Sequence, residues 1–176
     1  MRLTTTPIAG AYVVEPEPRT DERGFFARVW CVDELRPYGV TAGFRQCNTS
    51  YTRHRGTVRG LHYQVAPFEE IKLMRCIRGR IFDVIVDVRA DSPTRGEWFG
   101  IELTAENRHM LLVPPGTAHG FQTLEDDTEV LYPVSQPYHA GAERGVRWND
   151  PRVGVRWPIA SDVIVSPKDA SWPDFV

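Results

Sequence analysis

Four side chains capable of chemistry stand in strand-like surroundings: His62 in VRGLHYQ (58–64), Lys72 in IKLMRCI (71–77), Asp83 in IFDVIVDV (81–88) and Tyr132 in EVLYPV (129–134). An imidazole takes a proton near neutral pH, a phenol can return one, and an ammonium can hold a developing oxyanion. Together they can carry a proton from one face of a carbon to the other, provided a ketone acidifies the C–H. Lys72 lies between apolar neighbours. Lost hydration disfavours its charged form there unless an anion compensates, and Asp83 on a half-buried strand is the candidate partner. Each residue also has an ordinary explanation. Lys72 can pack its stem and extend its head to water. His62 can be a satisfied core histidine or a metal ligand, and Tyr132 a core aromatic.

The elements that must position these groups read as strands. IKLMRCI, IFDVIVDVR, WFGIELT, MLLVPPG, HGFQTLEDD and TEVLYPVS follow one another with Gly, Pro and Asp turns between them. Short runs at this spacing predict an all-β sandwich or barrel. Side chains alternate across a strand. Phe82, Val84, Val86 and Val88 therefore share one face, and Ile81, Asp83, Ile85 and Asp87 the other. Lys72 shares a face with Met74 and Cys76, and Tyr132 sits between Val130 and Val134. Gln46, Asn48 and Ser50 make a uniformly polar face. Isolated polar groups among apolar neighbours indicate a lined cavity. VDELRPYG (32–39) predicts one short helix ended with help from Pro37 and Gly39, and Trp148, Trp157 and Trp172 are available to pin a loop-rich tail.

Bulk composition narrows the classes. With 176 residues, 41% hydrophobic and 11% aromatic, the chain is expected to be one globular domain over 1–176. A net charge of -2 gives no overall footprint for nucleic acid. No apolar run approaches the roughly 20 residues that span a bilayer, and the first residues lack a signal-peptide core, so a cytoplasmic protein without a membrane partner is expected. Cys31, Cys47 and Cys76 are odd in number and far apart, which predicts buried reduced thiols. Metal-binding barrels of the cupin type usually offer two histidines two residues apart, and Gln64 takes the place of the second. His119 remains available as a later ligand, so metal ligation stays open, although no metal is the expectation.

Longer segments carry a family resemblance. DERGFFARVW, RQCNTSYTRHRGTVRGLHYQ, IKLMRCIRGRIFDVIVDVRADSPTRGEW, VPPGTAHGFQTL, YPVSQPY, ERGVRWNDPRVGVRWP and SPKD together resemble the dTDP-4-dehydrorhamnose 3,5-epimerases, in that family's order and over nearly the whole chain. The resemblance implies a double-stranded β-helix of the cupin or jelly-roll kind, a homodimer with exchanged strands, a nucleotide-sugar substrate, and no metal or redox cofactor. It assigns His62 as the base, Asp169 as its partner, Tyr132 as the acid on the opposite face and Lys72 as the enolate-stabilising cation. Asp83 would belong to the same polar cluster. For the nucleotide it implies Arg23 and Arg59 at the diphosphate, where a guanidinium matches phosphate oxygens, and Tyr138 stacked on the base. Gln46, Cys47 (through its backbone), Asn48, His119, Glu143 and Lys168 match other substrate contacts.

One position departs from the pattern. Arg28 stands where the family commonly has a glutamate that contacts the nucleotide, so a planar donor replaces an acceptor. A different nucleotide, or a diphosphate role for Arg28, would fit that change. Relatives with the same residues invert one carbon only, which leaves C3 alone and C3 with C5 both open. A metal-dependent cupin and a non-catalytic sugar-nucleotide binder are the alternatives of other classes.

Overall fold

The computed structural model describes residues 1–41 and 43–176. In chain order the elements are β1 (Arg2–Thr5), β2 (Tyr12–Glu15), β3 (Arg19–Asp21), β4 (Gly24–Phe26), α1 (Val32–Leu35), β5 (Gln46–Thr52), β6 (Thr57–Gln64) and β7 (Lys72–Arg78). There follow β8 (Arg80–Asp87), β9 (Trp98–Thr104), β10 (Met110–Val113), β11 (Thr117–Thr123), β12 (Thr128–Val134), β13 (Glu143–Gly145), β14 (Ile164–Val165) and α2 (Pro167–Ala170). One sheet has the order β1-β2-β10-β7-β12-β5 and the other β13-β6-β11-β8-β9, with β14 added in parallel to β6. Between β5 and β12 the chain changes sheet at almost every step, and only the β8–β9 hairpin stays in one sheet. That weave makes a jelly roll from the strands expected.

The apolar alternation is spent on three layers. Between the sheets lie Met74, Cys76, Ile81, Ile85, Leu111, Phe121 and Val130. Outside the second sheet, Val84, Val86 and Leu61 pack against Val146, Val153 and Trp157 of the tail. Outside the first, Leu73, Met110 and Leu112 meet Leu35, Val40, Trp30 and Phe44 from the segment around α1. β8 thus buries both faces, which explains why IFDVIVDV reads as nearly continuous apolar sequence. The predicted 32–39 helix is α1 followed by a 3₁₀ turn at Arg36–Tyr38, closed by Gly39 at φ 83. At the β7–β8 corner only glycine fits: Gly79 has φ 72, and an added Cβ would lie 2.5 Å from Thr128 Oγ1.

Two local expectations need correcting. Only Cys76 is buried; Cys31 is half-buried and Cys47 exposed. Cys47 shares the outward face of β5 with Thr49 and Tyr51, opposite the polar face of Gln46, Asn48 and Ser50. Strands β1 to β4 gave no sequence signal, being only three or four residues long, with β1, β3 and β4 largely exposed and β2 burying Val14. Among the described residues no helix is long and apolar enough to cross a membrane.

Candidate active site

The polar face of β5, the cavity face of β7 and β12, and the middle of β6 converge at one open end of the roll. Arg59 and His62 are three residues apart on β6, a spacing that strict alternation would send to opposite faces. The register explains their convergence. His119 of β11 opposes His62, and Phe121 opposes Arg59, so two steps on β11 match three on β6. This bulge at Gly60–Leu61 re-aims the strand. Gly60 and Gly120 make the close approach possible, since a Cβ on Gly60 would stand 2.5 Å from Gly120 Cα.

The bulge also frees a backbone donor. Gly60 N–H donates to Asp169 Oδ2 at 3.2 Å, while Asp169 Oδ1 lies 2.7 Å from His62 Nε2. Asp169 is held by α2, whose N-cap Ser166 accepts from the Asp169 amide and whose first residue is Pro167. Burial opposes the Asp169 charge. Hydrogen bonding and charge interaction with His62, with the Gly60 amide, outweigh it and hold the carboxyl below its ordinary range. An ionised carboxylate only accepts, so Nε2 carries the hydrogen and the lone pair falls on Nδ1. Trp172 sets its ring edge against His62 at 5.9 Å and lies over Gly145, where a Cβ would come within 2.4 Å of the indole.

Two contiguous cavities meet at the same three residues. The first, about 210 Å³, is lined by Gln46, Asn48, Glu70, Tyr138 and Glu143 among others. The second, about 320 Å³, includes Arg59, His119, Lys168 and Asp169. His62, Lys72 and Tyr132 belong to both. Burial, then the Glu70 charge, push the Tyr132 phenol upward, while Arg59 pulls it down. The phenol is therefore an O–H donor at neutral pH.

The expected Lys72–Asp83 partnership is corrected by the structure. Lys72 Nζ pairs with Glu70 at 3.0 Å, with both side chains nearly buried. Asp83 lies fully buried on β8, and its Oδ1 is 2.8 Å from His119 Nε2. The two strands set these distances: Asp83 opposes Phe121 on β11, two residues from His119, whereas Lys72 is on the other sheet. Sequence reasoning missed Glu70. The parity that groups Lys72 with Met74 also includes position 70, so extending it two residues back would have found the carboxylate.

The remaining candidates divide. Lys168 Nζ reaches both oxygens of Glu143 at 2.8 and 2.7 Å, and Tyr138 O–H donates to the same carboxylate at 2.9 Å. Gln64 lines the first cavity but commits its carboxamide to backbone. It donates to the Phe68 and Pro137 carbonyls and accepts from His139 N–H, bracing the loop that carries Tyr138. Arg23 and Arg28 are not in this cleft. Arg23, on the exposed β3–β4 turn, pairs with Asp21, and Arg28 pairs with Glu34. Lys72 and Lys168 being neutralised, Arg59 is the one cleft guanidinium or ammonium without a carboxylate partner among the described residues; it donates to Thr52 Oγ1 and the Tyr51 carbonyl.

A cupin-like β roll with an imidazole–carboxylate pair, an ammonium and a phenol at one polar mouth is the framework of an epimerase, an enzyme of the isomerase class. Comparison with known proteins gives the particular family. The chain belongs to the dTDP-4-dehydrorhamnose 3,5-epimerase family, whose model matches residues 5–176. It is 44% identical over 173 residues to the dTDP-4-dehydrorhamnose 3,5-epimerase of Sinorhizobium fredii, covering 98% of this chain and 89% of that one. The crystal structure of the Bacillus anthracis dTDP-4-dehydrorhamnose 3,5-epimerase with TDP and PPi bound superposes with a TM-score of 0.93 at 43% identity, covering 98% of each chain. A 3'-monoepimerase from Streptomyces bikiniensis in complex with dTDP-quinovose gives a TM-score of 0.88 at 31% identity, covering 97% of this chain and 86% of its own.

Proposed function

We propose that the chain, acting as one catalytic unit over residues 1–176, epimerises a dTDP-linked 4-keto-6-deoxyhexose at C3, C5 or both. The observation that carries this reading is the presence of His62, Lys72 and Tyr132 on the walls of both halves of one cleft. His62 Nδ1 takes the proton beside the C4 ketone. Asp169 fixes the tautomer and stabilises the imidazolium. The Lys72 ammonium faces the enolate oxygen, and Tyr132 returns a proton from the opposite side. A C–H beside a ketone has an aqueous pKa of order 20 against roughly 6.5 for imidazolium, a gap of about 18 kcal/mol that the cleft must largely close. Charge stabilisation at the oxyanion in a water-poor site is the main means. Arg59 meets the diphosphate; Tyr138, braced by Gln64 and Glu143, offers its ring to the base. Gln46 and Asn48 face the sugar from the same cavity.

Charge argues for a second copy. Arg59 alone is a weak match for a diphosphate, and the β3–β4 hairpin presents Arg23 with Phe25 and Phe26 to solvent, Phe26 being 65% exposed. A homodimer with exchanged strands would bring these groups, and Arg28, to the partner's cleft. Light scattering should then give twice the 20.0 kDa chain mass.

The test is incubation with dTDP-4-keto-6-deoxyglucose in deuterated water, with and without EDTA. Deuterium at C3 alone or at C3 and C5 decides the regiochemistry. Deuterium at neither carbon would refute the epimerase reading, and loss of exchange with EDTA would favour a metal-dependent cupin.

A further inference from the structure

Glu70 lies outside the proton-transfer scheme above, yet it lines the first cavity of the cleft. Its carboxylate is 3.0 Å from Lys72 Nζ, and the two side chains are only 11% and 13% exposed. The residue between them is clamped to the end of β12. Ile71 N–H donates to Ser135 Oγ at 2.8 Å, and Ser135 N–H donates to the Ile71 carbonyl at 3.0 Å. Lys72 opposes Val134, on the same face as Tyr132 and one alternation from it. Glu70 and Tyr132 share the wall of the first cavity.

From this geometry we propose that Glu70 is a positioning residue for both the Lys72 ammonium and the Tyr132 phenol. A carboxylate beside a site where an enolate forms weakens oxyanion stabilisation, so its presence needs a compensating role. A lysine head on a four-carbon stem has many rotamers, and a desolvated ion pair fixes its place more than it adds to stability. The same negative charge raises the cost of phenolate, so the phenol keeps the proton it must deliver. The other titratable or charged groups around Tyr132 in the two cavities are Lys72 on β7, Arg59, His62 and Tyr63 on β6, His119 on β11, Lys168 and Asp169 on α2, and Tyr138 and Glu143 after β12; Asn48 and Ser50 on β5 are neutral. Glu70 is the carboxylate whose charge acts on the phenol most directly, and Arg59 opposes it.

This inference rests on the epimerase reading. An inactive native chain would end that reading; an active native chain with an indifferent E70Q variant ends only this one. The experiment compares native, E70Q and E70D proteins for kcat of inversion against pH, dTDP affinity and thermal midpoint. Expected for E70Q is a kcat loss of roughly tenfold or more, as for a misplaced group, with dTDP affinity kept within about twofold. The basic limb of kcat should move to lower pH, because removing a negative neighbour makes phenolate easier to form. E70D should return most of the limb to its native pH while leaving kcat low, since charge is kept and reach is shortened. Native kcat and limb in E70Q overturn the proposal. So does a loss confined to dTDP affinity or melting. If E70Q melts far below the native chain, E70D decides: a native limb with reduced kcat supports positioning, and native kcat refutes it.

Discussion

Two imidazole–carboxylate pairs stand side by side in this molecule, His62–Asp169 at 2.7 Å and His119–Asp83 at 2.8 Å, their histidines opposed in register on β6 and β11. Their surroundings separate them. The His62 side chain is 30% exposed and lines both halves of the cleft, whereas His119 is 7% exposed and lines one. Asp169 has both oxygens satisfied, by His62 and the Gly60 amide. Asp83 leaves Oδ2 buried without a partner among the described residues. One pair is built around a ring that opens onto the cleft. The other holds its ring within a wall. Similar pair distances therefore serve different ends, and access decides which.

The largest expected effect tests that division directly. H62N should reduce solvent exchange at the sugar by about 10³-fold, within the range for loss of a general base. H119N should cost about tenfold or less in exchange while lowering the thermal midpoint, because it unpairs a buried carboxylate. Exchange measured by mass spectrometry and melting by calorimetry give both quantities. Equal exchange losses in the two variants would break the contrast.

Tyr132 sharpens the contrast from the opposite face of the cleft. With its phenol pushed upward by burial and Glu70, it is protonated through the neutral range. Y132F should leave exchange within about tenfold of native, since abstraction by His62 survives, and cut inversion by about 10²-fold. The ratio of deuterium uptake to inverted product reports this separation. An unchanged ratio would remove Tyr132 as the acid and leave His62 serving both faces.

Much of this arrangement was legible before the fold was known, for identifiable reasons. Strand alternation placed Lys72, Tyr132, Gln46 and Asn48 toward a cavity because the β5–β12 register is unbroken and the β7–β12 register is constant from Val130 to Val134. It could not align Arg59 with His62, because the bulge at Gly60–Leu61 is a property of the β6–β11 pairing. The partner of Lys72 was misjudged for a similar reason. Asp83 has the right chemistry and burial but belongs to the other sheet, and Glu70 precedes the strand to which parity was applied. Asp169 lies 107 residues from His62, and only the family resemblance linked them. Arg23, on the exposed β3–β4 turn, and Arg28, in the exposed stretch after β4, lie outside the cleft and pair with Asp21 and Glu34, and no strand parity applied to either.

The two carboxylates give the finest comparison. D169N keeps the shape but lets the amide donate, which favours the wrong His62 tautomer; kcat should fall by about 10²-fold or more, as when a histidine's orienting carboxylate is neutralised. D83N alters a pair with an unpartnered oxygen already present, so kcat should stay within about fivefold and stability should change by about 1 kcal/mol or less. Acid titration of stability separates them further. The Asp169 carboxyl is depressed in the folded state, so its contribution is fully present above the ordinary aspartate value of 3.8 and is lost as pH falls below it toward the folded-state value. The stability gap between native and D169N, followed by urea unfolding, should therefore narrow as pH falls below about 4. A gap that does not narrow below pH 4 would mean that Asp169 is not held as a carboxylate by His62 and the Gly60 amide, and the tautomer assigned to His62 would fall with it.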